Sequence, residues 1–485
     1  MTTIKGQLVK GARWTGISTM AITVIQILQF VYLGNRMSVA EFGLVGMLTT
    51  IMMFAQILLE SGLGSAVIQK EKVTEDMLST LFWLNVAVGI LISLVLFGAG
   101  GLIAGFFHRT ELGPLIRLLS LLFLTAGIGQ QSQYLLQKDL RFQTLGKIEA
   151  GAAVFSFLLL LMLSLLISTI YAFVFSQIAL YSLRSVLYFA AYGKWKPRLI
   201  FRLRECREVL SFGAFQLASR IVNRLGSNMD MILIGRFMGA EALGIYNLVY
   251  QIVTIPVLRI NPIMTRVAFP VFSKNQNSHT DLNDGFLYMT KLLGLAAFPM
   301  LMGLTAVADV FVPAFFGEKW SAAIPILQIM AIVGMLRVLM NPNGSIILAK
   351  GRANIAFYWD SGMLLLYGAA LYAAVLTGSL EWVAWSYVAV SVINFILGRW
   401  LLAALISLRW ASYLQSLALP FVLSLIMSCI AFMMNKYSSI YFHGSVIPLA
   451  ISAGTGVALY AALLYKMYPQ YVLGLIKKRA GGKSI

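Results

Sequence analysis

MLSTLFWLNVAVGILISLVLFGAGGLIA, residues 77–104, runs from end to end without a charged side chain. About 20 apolar residues suffice for a helix to cross the hydrocarbon core of a bilayer, so this stretch is predicted to span a membrane. The same reading, carried outward, predicts further spans at roughly 13–34, 42–60, 112–134, 146–168, 170–191, 209–234, 242–263, 285–312, 323–349, 355–378, 382–405, 413–435 and 445–466. The division of 146–191 into two helices rests on a short break at Ser168-Thr169. The expected fold class is therefore an all-α polytopic membrane protein of about 14 transmembrane helices.

Composition agrees. Hydrophobic residues make up 59% of the 485-residue chain and charged residues 11%. A soluble domain carries about 25% charged residues, so the surplus apolar surface must face lipid. That excludes a soluble enzyme or a free nucleic-acid-binding protein. Cys206 and Cys429 are too few for a disulfide framework, and His108, His279 and His443 are scattered, so neither a metal site nor a cofactor is expected. The N-terminus is polar for about a dozen residues and then enters a long apolar stretch without a small-residue cleavage site, which predicts a retained first helix rather than a signal peptide.

The net charge of +19 lies in short clusters between apolar runs, which argues against nucleic acid as a partner. With the N-terminus placed in the cytoplasm, inside segments hold about 23 Lys/Arg and outside segments about five. The inside clusters include Lys138, Arg141 and Lys147, a dense loop from Lys194 to Arg207, and the tail from Lys466 to Lys483. The outside loops keep Arg36, Arg109, Arg236, Lys319 and Lys436. Both termini are thus expected on the cytoplasmic side of a cell membrane.

Two segments resemble each other. LGNRMSVAEFGLVG (33–46) aligns without gaps on IGRFMGAEALGIYN (234–247), so that Gly34 meets Gly235, Met37 meets Met238 and Gly43 meets Gly244. Each closes the first helix of a six-helix block and opens the second, which implies two like-oriented lobes in a parallel repeat. The expected division is a lobe at 1–191, a basic cytoplasmic linker at 192–208, a second lobe at 209–410, an extra helix pair at 411–467 and a basic tail at 468–485. Two such lobes predict a cleft and alternating access, hence a transporter, and a monomer suffices for that cycle.

Ionisable residues inside spans mark function, because a charge at mid-bilayer costs about 2.5–3.5 kcal/mol even on lenient scales. Arg220 and Arg224 stand four apart on one face of the seventh span, among Asn223, Ser227 and Asn228, with Asp230 beyond them. Two readings stay open: an anion-binding cavity face, or ion pairs to Glu60 or Asp360 that fix helix packing. Arg337 precedes Asn341-Pro342-Asn343-Gly344, and Arg259 lies between Pro256 and Pro262; helix breaks are predicted at both. Arg13, Lys291, Arg399 and Asp309 lie near helix ends and are read as snorkelling. Arg184 and Glu149 are a candidate pair in the first lobe. Gln26, Gln29, Gln56 and Gln130–Gln133 supply uncharged polarity there, suited to sugar hydroxyls or to helix–helix hydrogen bonds. The terminal GGKSI imitates a phosphate-binding loop, but Lys477 stands where its first glycine is required.

NMDMILIGRFMGAEALGIYNLVYQI (228–252), FPVFSK (269–274), FFGEKW (315–320) and LAKGR (348–352), with KGARWTGIS (10–18), resemble the polysaccharide-export family of the multidrug/oligosaccharidyl-lipid/polysaccharide flippases. The resemblance covers nearly the whole chain; the spacing of Asp230, Gly235 and Gly239, followed by Gly244 and Tyr246, is its most specific part. Within the family, exporters of teichuronic-acid or colanic-acid type repeat units are the most similar. The resemblance implies a flippase, not an enzyme, for an undecaprenyl-diphosphate-linked oligosaccharide. Arg220, Arg224, Arg259 and Arg337 would offer charge to a diphosphate or uronic acid. Glu60, Glu149, Asp230 and Asp360 would serve either in coupling to sodium or protons or in structural pairing. The alternatives are a peptidoglycan-precursor flippase or a drug/cation antiporter of the same fold. More remote is a membrane glycosyltransferase or polymerase, for which the outside loops are too short.

Overall fold

A computed structural model describes residues 4–60, 64, 67, 74–202, 206–274, 278–442 and 444–467. The side chains at 4–13, 207–216, 218–219, 255–271 and 353 fall outside that description, and with them those of Arg13 and Arg259. Thirteen of the fourteen predicted spans each coincide with one helix, and the one at 285–312 is divided between two. In order the helices are α1 (Ile4–Arg36), α2 (Val39–Glu60), α3 (Glu75–Phe106), α4 (Leu112–Lys138), α5 (Phe142–Leu163), α6 (Thr169–Ala191), α7 (Arg207–Phe237) and α8 (Gly239–Lys274). They continue with α9 (His279–Ala306), a short α10 (Ala308–Phe316), α11 (Ala323–Ala349), α12 (Ala353–Val375), α13 (Leu380–Ile406), α14 (Trp410–Tyr441) and α15 (Val446–Met467). Among the described residues there is no strand.

Eleven helices are long and apolar enough to cross a membrane on length and composition among the described residues. Helices α7, α8 and α12 carry Arg220, Arg224 and Asp230, Arg259, and Asp360. The chain is a multi-pass membrane protein.

Two local expectations change. The span predicted at 285–312 is interrupted at Val307, whose φ of −112° and ψ of 10° separate α9 from α10. Asp309 then sits in the first turn of α10, where an anion suits the helix dipole, accepts from Asn435 at 2.5 Å and pairs with Lys436 at 3.3 Å. Conversely, no break occurs at Pro342: α11 is helical through it, and α8 runs as one helix through Pro256 and Pro262. Proline in a packed membrane helix is tolerated where neighbours re-satisfy the backbone and brace it. Here Pro342 and Asn343 are buried, and a Cβ on Gly398 of α13 would lie 2.7 Å from Met340 and 2.9 Å from Asn343. The break at Ser168-Thr169 is present, between Leu163 and Thr169.

Backbone contacts group the chain into Met1–Gly244 and Ile245–Ile485. In the first unit α3 and α4 cross through small residues, since a Cβ on Gly89 would lie 2.5 Å from the Phe123 carbonyl and one on Gly127 2.6 Å from that of Asn85. Val67, Leu81, Leu136, Tyr188 and Cys206 form a buried cluster at one end. The basic segment after α6 is tied to this unit: Arg198 pairs with Glu75 at 2.7 Å and Arg202 with Asp76 at 2.9 Å, both on the first turn of α3. In the second unit Phe286, Leu293, Val338, Leu402 and Tyr413 build a core from α9, α11, α13 and α14.

The two similar segments touch each other. A Cβ on Gly43 would lie 1.7 Å from the Ala240 carbonyl oxygen, and one on Gly244 would lie 2.1 Å from that of Val39. The offset of 201 carries Gly43 onto Gly244 and Val39 onto Ala240, so the two contacts are one contact repeated with its partners exchanged. Such reciprocity is what a local two-fold between equivalent segments produces.

Candidate functional site

The first unit holds a polar cavity of about 280 Å³ lined by Gln56 and Glu60 of α2, Gln130 and Gln133 of α4, Glu149 of α5, and Tyr181, Arg184 and Tyr188 of α6. Gln56 donates to the Tyr181 hydroxyl at 2.5 Å and Gln130 to that of Tyr134 at 2.5 Å. Tyr188 donates to Glu149 at 3.2 Å. Among the described residues no ion pair joins Glu149 to Arg184. The guanidinium instead lies over the Tyr181 ring at 5.9 Å, with its buried Nε unpartnered.

Arg220 meets this cavity through Glu60, and Arg224 lies one turn further along α7. The Arg220 Nη1 pairs with Glu60 Oε2 at 2.9 Å, and both side chains are about half exposed, at 40% and 52%. The pairing read as one of two alternatives is therefore present, with Glu60 as the acid. Arg224, exposed one turn further on, approaches Met53 Sδ at 4.0 Å, and no carboxylate pairs with it among the described residues. Beyond it α7 kinks at Asn228 (φ −134°, ψ 16°). Asn228 donates to the Arg224 carbonyl at 3.0 Å and Ser227 to that of Asn223 at 2.8 Å, the kind of side-chain competition that bends helices. Past the kink, Asp230 is buried and accepts from the Met231 amide at 2.9 Å.

A second polar cavity, of about 230 Å³, lies in the second unit and is lined by Arg337, Met340 and Asn341 of α11, Tyr367 of α12, and Ser391 and Asn394 of α13. The Arg337 guanidinium lies 5.4 Å and 5.5 Å from the ring centres of Tyr250 and Tyr387 and donates to both hydroxyls, to Tyr250 at 3.3 Å. The Tyr367 and Ser391 hydroxyls are 2.9 Å apart, and Trp359 donates to Asn394 at 3.2 Å. Asp360 is exposed on α12 and forms no ion pair among the described residues. The candidate residues thus fall into an arginine–carboxylate–amide group around Glu60 and an arginine–tyrosine–amide group around Arg337.

Arg399 departs most from expectation. It does not snorkel: it is 1% exposed, with its guanidinium 5.0 Å from the Phe286 ring, 5.3 Å from Phe395 and 4.6 Å from Tyr413, and it donates to Asn343. No carboxylate pairs with it among the described residues, and aromatic faces take that place. Phe395, four residues before it on α13, is the partner that helical spacing alone supplies.

Long apolar helices, with an arginine-bearing polar cavity in each unit, define a polytopic membrane protein. The chain belongs to the polysaccharide biosynthesis protein family, whose model matches residues 36–325. It is 55% identical, over 99% of both chains, to the teichuronic acid biosynthesis protein TuaB of Bacillus subtilis strain 168. It is 32% identical to the lipopolysaccharide biosynthesis protein WzxC of Escherichia coli strain K12, over 87% of this chain and 86% of that one. Its fold is similar to that of the lipid II flippase MurJ in an inward closed conformation, with a TM-score of 0.75 at 13% identity, over 94% of this chain and 99% of that one.

Proposed function

We propose that this protein is a flippase that carries an anionic oligosaccharide repeat unit, linked to undecaprenyl diphosphate, across the cytoplasmic membrane by alternating access, for cell-surface polysaccharide synthesis. The observation that carries the reading is the Arg220–Arg224 face of α7, whose Arg220 pairs with Glu60 at a cavity of amides, tyrosines and carboxylates. Guanidinium groups bind diphosphate and carboxylate oxygens through planar, paired donors, and amides and tyrosines suit sugar hydroxyls. Arg337, between two tyrosines, offers a second such surface. The similarity to a teichuronic acid biosynthesis protein supports an acidic repeat unit. A drug/cation antiporter of this fold would want an acidic binding surface, which the excess of arginine opposes. A peptidoglycan-precursor flippase would share the fold, but the similarity to MurJ, at 13% identity, is one of fold alone.

Charge distribution supports a cytoplasmic location of both termini. Glu60 and Glu149 at the first cavity supply carboxylates for coupling to sodium or protons.

In a deletion strain, extraction of membrane lipids is expected to recover one defined undecaprenyl-diphosphate oligosaccharide in excess, with surface polymer lost. Normal polymer with no accumulated intermediate would remove the proposal.

A further inference from the structure

On the far side of α2 from the polar cavity lies an apolar groove of about 430 Å³. Its walls are Ile51, Phe54 and Leu58 of α2, Leu91 and Val95 of α3, and Ile232 of α7. The one hydroxyl at its edge, on Thr50, is already satisfied by the Gly46 carbonyl at 2.9 Å. At 100° per residue, Phe54 and Leu58 share one face of α2, while Met53, Gln56 and Glu60 fall on the opposite side. Those three are the residues that meet Arg224, line the polar cavity and pair with Arg220. Helix α7 runs alongside: Arg224 reaches Met53, and Ile232, about two turns on, reaches the groove. One helix pair therefore separates a cationic, polar surface from an apolar channel.

A ligand matched to both sides has an anionic head and a long branched apolar tail. We infer that the α2–α3–α7 groove seats the polyisoprenoid chain of the lipid-linked substrate while its phosphate engages Arg224 and Arg220 across the α2–α7 seam. The inference rests on the flippase reading and adds the tail's location to it. The occupant is a polyisoprenoid rather than bulk phospholipid because the groove is walled by aromatic and branched side chains beside a cation without a carboxylate partner among the described residues.

Two substitutions fill the groove from different helices. Leu58→Trp and Val95→Trp replace side chains that are 41% and 56% exposed, so neither overpacks the core. Leu94→Trp is the control: it lies on α3, is 64% exposed and lines no part of the groove. The full-length protein in detergent is titrated with undecaprenyl phosphate and, separately, with phosphatidylglycerol, and bound lipid is counted by native mass spectrometry. Each groove variant is expected to bind undecaprenyl phosphate about tenfold more weakly, the loss of roughly two methylenes of contact. Phosphatidylglycerol binding stays unchanged, and Leu94→Trp alters neither lipid. Wild-type binding of undecaprenyl phosphate by both groove variants would overturn the groove alone. A parallel loss of phosphatidylglycerol would also overturn it, by marking an ordinary lipid-facing surface. A wild-type protein that binds no undecaprenyl phosphate would remove the flippase reading and the groove together.

Discussion

Arg220→Ala is expected to lower polymer export by about tenfold to a hundredfold while the amount of protein in the membrane stays unchanged. The range follows from the loss of a charge-assisted hydrogen bond to an anion, about 1.5–3 kcal/mol. Stability should barely change, because a half-exposed ion pair contributes about 0–1 kcal/mol, and the Arg220–Glu60 pair is of that kind. Neutral replacements separate the two roles of this arginine. If the pair only fastens α7 to α2, then Arg220→Gln and Glu60→Gln should do equal harm, and the double variant should recover. If Arg220 binds the substrate, Arg220→Gln and the double variant should both fail in export, and Glu60→Gln should retain anion binding. Arg224→Ala should resemble Arg220→Ala without a compensating partner. Full export by both alanine variants would remove the anion surface. Export assays beside immunoblots of membrane fractions give the answer.

Gly43→Ala and Gly244→Ala should each reduce export about tenfold or more. An added methyl at either position would fall within 1.7 Å or 2.1 Å of a backbone oxygen, so the helix starts must separate. Overpacking of this kind costs about 1–3 kcal/mol when the neighbour can give, and here the neighbour is backbone. Because the two glycines are related by the internal offset, the two variants should behave alike, and the double variant should be no worse than additive. Gly16→Ala, where an added methyl meets nothing within 4 Å, should export normally. Wild-type export by either crossing variant would show that close approach of these segments is not needed for transport.

The helices were legible because each apolar run is long enough to span, and even the Ser168-Thr169 break was marked by its polar pair. The Glu60–Arg220 pair was legible as one of two options, since charges inside spans have few places to go. What sequence could not supply depends on neighbours. Pro342 reads as a break until Arg399 and Gly398 are seen bracing the turn around it. Arg399 reads as snorkelling because it lies near the end of α13; its cage comes largely from α9 and α14, more than a hundred residues away and just after it in the chain. The Asn228 kink was not predicted, although Ser227 and Asn228 are residues whose side chains bond carbonyls one turn back and bend helices. The apolar groove had no sequence signature, because its residues look like any lipid-facing surface.

The central claim is translocation itself, and purified protein in liposomes tests it most directly. Vesicles carrying a fluorescent undecaprenyl-diphosphate oligosaccharide with a uronic acid are treated with a membrane-impermeant agent that destroys accessible head groups. With the wild-type protein the inner-leaflet pool should become accessible over time, and with Arg220→Ala it should stay protected. Equal protection in wild-type and protein-free vesicles, under sodium, proton and voltage gradients alike, would contradict the account.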